Sequence, residues 1–187
     1  PGVCGGEVEV YLEVVGKKQF LMIFGAGHVG NKLSFLADWM GFEVIAIDDR
    51  EELLHQSNLS DQIKCYTSIK DFSTNYQKIP SENLFIVMTT RSLEIDVINI
   101  PEVLKLSPKY LGVIGSKRRW IKTTELLIKN GILKSEIEKI FSPIGLDLGS
   151  ETPEEIAISI MAEILKQKNA TSGESLNYFR RKIINVE

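Results

Sequence analysis

Phe20-Leu21-Met22-Ile23-Phe24-Gly25-Ala26-Gly27-His28-Val29-Gly30 decides the fold. Its first five residues are all apolar, with no alternating polar face, the pattern of a strand covered on both sides in a parallel sheet. Beyond the glycines, Val29, Leu33, Leu36, Ala37 and Met40 recur at helical spacing until Gly41 stops them. A second apolar strand over 42–47 then delivers Asp48 at its carboxyl end. Strand, G-x-G-x-x-G turn, helix, strand and acid together form the pattern of a dinucleotide-binding βαβ unit. In it Gly25 permits the tight turn, Gly27 lets a phosphate approach the backbone, and Gly30 allows close helix packing, while the first helical amides favour an anion. Asp48 is expected to hold a ribose 2′-hydroxyl and to repel a 2′-phosphate, so NAD is the cofactor this pattern suggests.

Reading outward, 84–88 and 110–114 are two further apolar runs, each followed by a turn and a helical pattern. That alternation predicts a doubly wound α/β fold with a mainly parallel sheet. A short strand over 63–67 and a weak helix or loop over 68–77 fill the gap before the third run. Helices are expected over 117–129 and 135–140, and 141–149 is too rich in glycine and proline for a regular element. The last long helix opens with Thr152 as N-cap, Pro153 at its first position and Glu155 three residues after the cap. Alternation over 7–15 predicts an edge strand.

The whole composition agrees with a folded domain. Of 187 residues 43% are hydrophobic and 25% charged, with both signs interspersed, which argues against disorder. The formal charge of −3 argues against general nucleic-acid binding. No apolar stretch approaches the roughly 20 residues of a membrane span. Two cysteines, Cys4 and Cys65, make neither a disulfide framework nor a zinc pattern, so no metal site and a cytoplasmic location are expected.

Two later turns belong to the same carboxyl edge. Thr90 and Arg91 follow the third run, and Gly115-Ser116-Lys117-Arg118-Arg119 follows the fourth. Glycine amides, a hydroxyl and cations suit phosphate or carboxylate, although the second turn also reads as an exposed basic helix start. Cations at a helix N-terminus oppose its dipole, which an anion would relieve. His28, inside the glycine turn, reads either as catalytic or as a locally bonded loop residue, and His55 as structural or surface. Asp147 can ligate, orient or cap a turn. With no nucleophile elbow, Walker sequence or acid/base pair, the chain is built for binding more than for catalysis.

The ordered set Cys4-Gly5-Gly6-Glu7-Val8-Glu9-Val10, Gly25 to Gly30, Asp48-Asp49-Arg50, Gly112 to Arg118 and Pro143-Ile144-Gly145-Leu146-Asp147-Leu148-Gly149-Ser150-Glu151-Thr152-Pro153 resembles the xanthine dehydrogenase accessory protein (XdhC/CoxI) family. The resemblance implies a Rossmann-like domain in a non-catalytic maturation factor, a chaperone that binds molybdenum cofactor (molybdopterin) and inserts it into a molybdenum hydroxylase such as xanthine or carbon monoxide dehydrogenase. It further implies Cys4 as a thiolate near molybdenum. The apo hydroxylase and a cofactor-sulfurating enzyme are the implied partners, and a homo-oligomer the expected assembly. The family's Thr-Arg-Gly-His-x-x-Asp pattern survives here as Thr90, Arg91 and Asp96, with Leu93 where the histidine stands. The domain organisation on this reading is an N-terminal β segment over 1–18 remaining from an upstream domain, the Rossmann-like domain over 19–168, and a linker and tail over 169–187. An NAD-dependent oxidoreductase and a nucleotide-sensing regulatory module are the alternatives.

Overall fold

The computed structural model describes residues 9–11, 16–55, 61–75 and 79–177. Among them five strands, β1 (Phe20–Phe24), β2 (Glu43–Ile47), β3 (Lys64–Tyr66), β4 (Leu84–Met88) and β5 (Tyr110–Val113), form one parallel sheet in the order β3-β2-β1-β4-β5. β1 pairs with β2 on one side and β4 on the other, Phe20 lying opposite both Glu43 and Leu84. The chain therefore winds outward from β1 in one direction, then returns to build β4 and β5 in the other. This reversal opens a crevice beyond the carboxyl ends of β1 and β4, where open α/β sheets bind their ligands.

The unbroken apolar runs have a direct cause. Leu21, Ile23, Val44, Ala46, Phe85 and Val87 pack with Leu33 and Ala37 of α1 (His28–Trp39) and with Ile160, Met161 and Ile164 of α7 (Pro153–Asn169). The alternate residues Met22, Phe24, Ile45, Ile47, Ile86 and Met88 face the other way. They meet Phe72 of α3 (Ile69–Asn75), Ile100 and Val103 of α4 (Leu93–Lys105) and Leu127 of α5 (Lys117–Lys129). Both sheet faces are dry, so neither set of alternate positions can be polar.

Two short helices complete the fold, α2 (Glu51–Leu54) and α6 (Lys134–Ile137). The first is absent from the sequence reading because four residues cannot display a helical period. α6 is likewise shorter than the 135–140 expected. Of the expected 7–15 strand only residues 9–11 are described, and they carry no regular secondary structure. Cys4 and the tail beyond residue 177 lie outside the described residues. Among those residues no helix is long and apolar enough to cross a membrane.

The irregular 141–152 stretch is fastened at both ends. Phe141 bridges Gly112 at the edge of β5, and Thr152 with Glu155 closes a capping box on α7. Between them the Glu163 carboxylate accepts from the Tyr110 hydroxyl at 2.5 Å and from the Gly145 amide at 3.0 Å. Burial, and then the neighbouring Glu163, push the Tyr110 hydroxyl far above its ordinary range, so it stays a donor. Tyr110→Phe is expected to cost about 1–2 kcal/mol in urea denaturation. The ring stays packed against Phe141, 4.9 Å between centroids, and only the hydroxyl is lost.

Candidate functional site

Gly25 leaves β1 with φ +101°, and its amide donates to the Ile47 carbonyl at 2.8 Å, so the turn is tied to the end of β2. Gly27 is the N-cap of α1; no side chain caps this helix and no acid lies in its first turn. A Cβ at Gly27 would meet nothing within 4 Å. By contrast Ser92, Ser116 and Thr152 cap α4, α5 and α7 with their own hydroxyls. The first amides of α1 thus face open space without an internal acceptor, the arrangement that receives an anion. His28 opens the helix with its side chain exposed, at the same rim.

Asp48 has a different occupation from the one its position suggests. One oxygen accepts from the Arg50 amide and Nε, both at 2.9 Å; the other accepts from the Ala26 amide at 2.8 Å and from Arg50 Nη2 at 2.9 Å. A carboxylate offers about four lone-pair sites, and all four are used. With its side chain 2% exposed, Asp48 is a strut that pins the glycine turn to β2. The exposed carboxylate at this corner is Asp49, the next residue, which pairs bidentately with Arg91 at 2.7 and 2.8 Å across the gap between the β2 and β4 ends.

The hydrogen bond from Arg91, followed by its charge, holds the Asp49 carboxyl down to about 2. Because this folded value lies below the ordinary 3.8, the pair's contribution is present above the ordinary value and is lost as pH falls through about 2. NMR titration of the Asp49 carboxyl should therefore show it ionised throughout pH 4–8. In Arg91→Met its midpoint should rise toward the ordinary range, with little change in stability because the pair is exposed.

Beneath this bridge lies a cavity of about 270 Å³. Phe24, Gly25, Asp48, Thr90 and Arg91 line it, and so do Asp49, Arg50 and the α4 residues Ile95, Ile98 and Asn99. Arg91 also borders a second, more open depression of about 360 Å³ reached by Ser116, Arg118 and Lys122. The structure thus brings Gly25, Asp48, Thr90 and Arg91 to one cavity, with Gly27, His28 and Gly30 in the adjoining turn and first helical turn. Ser116 and Arg118 come to the neighbouring depression. Lys117 and Asp147, both exposed, line neither.

The basic turn also separates into two parts. Lys117 and Arg118 point to solvent, whereas Arg119 turns inward and donates to the Thr90 carbonyl at 3.2 Å, the Thr90 hydroxyl at 2.9 Å and the Asp96 carboxylate. Asp96 is fully buried and also accepts from the Thr90 hydroxyl. Burial pushes its carboxyl up, against the pull of Thr90 and Arg119. An internal acid therefore relieves part of the charge conflict at the start of α5. Gly115, at φ +149°, precedes the turn; a Cβ there would lie 3.0 Å from Arg119 Cδ. The one described cysteine, Cys65, is half-buried, and burial pushes its thiol up, away from thiolate character. Among the described residues no group of three or more His, Cys, Asp or Glu is placed to hold a metal ion.

The sequence reading does not single out Asp49, Arg50, Ile95 and Ile98 as site residues, and it counts Arg119 among the anion-attracting cations of the second turn, where the structure instead turns it inward onto Thr90 and Asp96. For Arg50 a signal exists: an arginine two residues after a strand-end aspartate can fold back on it. The other pairings span tens of residues and have no local sign.

A glycine turn, an uncapped helix start and a crevice at the strand-order reversal define a Rossmann domain. The family model described as the XdhC Rossmann domain matches residues 21–164, and the chain belongs to that family. It is 28% identical over 171 residues to the uncharacterized protein YqeB of Escherichia coli (strain K12), covering 91% of this chain and 31% of that protein. It is 29% identical over 160 residues to a Bacillus subtilis (strain 168) protein named as a probable subunit of xanthine dehydrogenase, covering 85% of this chain and 46% of the relative. A crystal structure described as a xanthine dehydrogenase from Bacillus halodurans superposes with a TM-score of 0.66 at 26% identity, over 85% of this chain and 45% of the other. The chain spans less than half the length of each of these proteins.

Proposed function

We propose that this domain serves the maturation of a molybdenum hydroxylase of the xanthine dehydrogenase type by binding molybdenum cofactor as cargo and releasing it to the apoenzyme. The observation that carries this reading is the uncapped start of α1 beside the open face of Gly27, in a domain of the XdhC family. A pterin that ends in a phosphate suits those donors. The α1 amides would hold the phosphate, and Arg91 and Arg118 supply positive charge along the rim. The cargo carries the redox chemistry; this chain's own residues bind it, orient it and neutralise its charge. Membership of a family whose relatives are named for xanthine dehydrogenase supports that enzyme class as the recipient.

The test is a titration of the full chain with molybdenum cofactor, followed by mixing with cofactor-free xanthine dehydrogenase and an assay of xanthine oxidation. Saturable binding and faster activation than with free cofactor are expected. Absence of binding where an established carrier succeeds in the same assay overturns the reading. Titration with NAD alongside separates the oxidoreductase alternative, which requires NAD to bind and to be reduced.

A further inference from the structure

Large apolar side chains stand open on the outer face of the α1–α7 layer, beside the sheet rather than at its strand ends. Trp39 is 77% exposed, Phe35 63% and Ile158 53%. The core does not account for them, because α1 already buries Leu33 and Ala37 against the sheet, and α7 buries Ile160 and Ile164. Phe35 and Trp39 are four residues apart and so share one face of α1. Lys32, about one turn before Phe35, pairs at 3.0 Å with Glu154, one turn before Ile158. The two helices therefore lie side by side with their open apolar residues at neighbouring levels.

Together the three side chains leave on the order of 400 Å² of apolar surface in water, a patch of the size that marks an interaction site. That is about half of the roughly 800 Å² that each partner gives to a stable interface, close to the apolar share such interfaces have. The rest of the face is charged, and the order of its charges selects the partner. α7 carries Glu154 and Glu155 in its first turn and Lys166 and Lys168 in its last. Lys168 is engaged over the Phe42 ring, 5.2 Å from its centroid, so Lys166 is the cation offered at that end. A face that is acidic at one end, basic at the other and apolar between is complementary to itself turned end for end, the condition for an isologous contact. An antiparallel crossing also sets the two helix dipoles in opposition, which is favourable.

We propose that the α1–α7 face is where two copies of this chain pair. A two-fold axis runs through the patch, α7 of one copy lies antiparallel across α7 of the other, Trp39 and Ile158 of each become buried, and Glu154 of each copy meets Lys166 of the other. The pairing leaves both crevices open and pointing in opposite directions, so it is independent of what they hold.

The test is sedimentation velocity of the full chain over a dilution series. The mass should move from the 21.0 kDa of one chain to twice that value, with a dissociation constant in the micromolar range or tighter. Trp39→Lys should weaken the pairing about thirty-fold or more, as loss of a central aromatic anchor does. It should keep the parent melting temperature at concentrations where both proteins are monomeric, since Trp39 is exposed in the single chain. Glu154→Lys and Lys166→Glu should each weaken the pairing several-fold, and an equimolar mixture of the two variants should recover the parent affinity, because acid again meets base at both ends. A single-chain mass at every concentration, a dimer indifferent to Trp39→Lys, or charge variants that pair no better mixed than alone each overturn the proposal.

Discussion

Gly30→Ala is expected to destabilise the chain by about 3 kcal/mol or more, read as a lowered urea midpoint or as failure to accumulate folded protein. An alanine Cβ at that position would overlap the Gly25 carbonyl oxygen and come within 2.8 Å of Thr89 Oγ1. The carbonyl cannot withdraw. The Gly25 amide donates a hydrogen bond to the Ile47 carbonyl, and the Gly25 carbonyl accepts from Thr89 Oγ1 at 2.7 Å. Gly27→Ala, three residues earlier, is the matched control with the opposite signature. Gly27 has φ −69°, which alanine adopts freely, and the added methyl meets no neighbour, so stability should hold or rise by about 0.5 kcal/mol. That methyl stands where an anion would approach the α1 amides. Affinity for phosphate should therefore fall while the fold stays intact. One glycine is required by packing; the other has open space where a side chain would stand.

Asp96→Ala is the second large effect, expected at about 3–5 kcal/mol in the same denaturation measurement. Asp96 is fully buried, and its removal leaves Arg119, 22% exposed, without its counter-charge in a site closed by Thr90. The consequence extends to the crevice. Arg119 grips both the hydroxyl and the carbonyl of Thr90, and Thr90 adjoins Arg91, so the β4 loop loses its anchor when the pair is broken. Replacing both partners with apolar residues, as in Asp96→Leu with Arg119→Met, should recover much of the stability, because no uncompensated charge is then buried. The Asp49–Arg91 bridge, which depends on the placement of that loop, should not be restored in the double variant. Thermal melting and NMR titration of Asp49 report these two outcomes separately.

Much of the fold is legible in the order of residues alone. Four apolar runs, the glycine turn, and the Thr152-Pro153-Glu155 helix start are local patterns, and each appears in the structure within a few residues of its expected bounds. They are legible because strand burial, turn sterics and helix capping depend on neighbours in the chain. The family likeness, visible in the same motifs, is of this kind too. Elements without a period of their own, α2 and the three-residue β3, are missing or faint in it.

The occupancy of each charged group is decided elsewhere. Position two residues from Arg50 and 22 from Ala26 turns Asp48 into an internal strut; 42 residues separate Asp49 from the Arg91 that spans the crevice; 23 separate Asp96 from Arg119. A carboxylate has a fixed number of acceptor sites, and only folding reveals which donors reach it first. Residue order established the parallel sheet and the glycine turn at its carboxyl edge, while the tertiary structure determined which of its acids are satisfied internally, because hydrogen-bond capacity is consumed by contacts between distant parts of the chain.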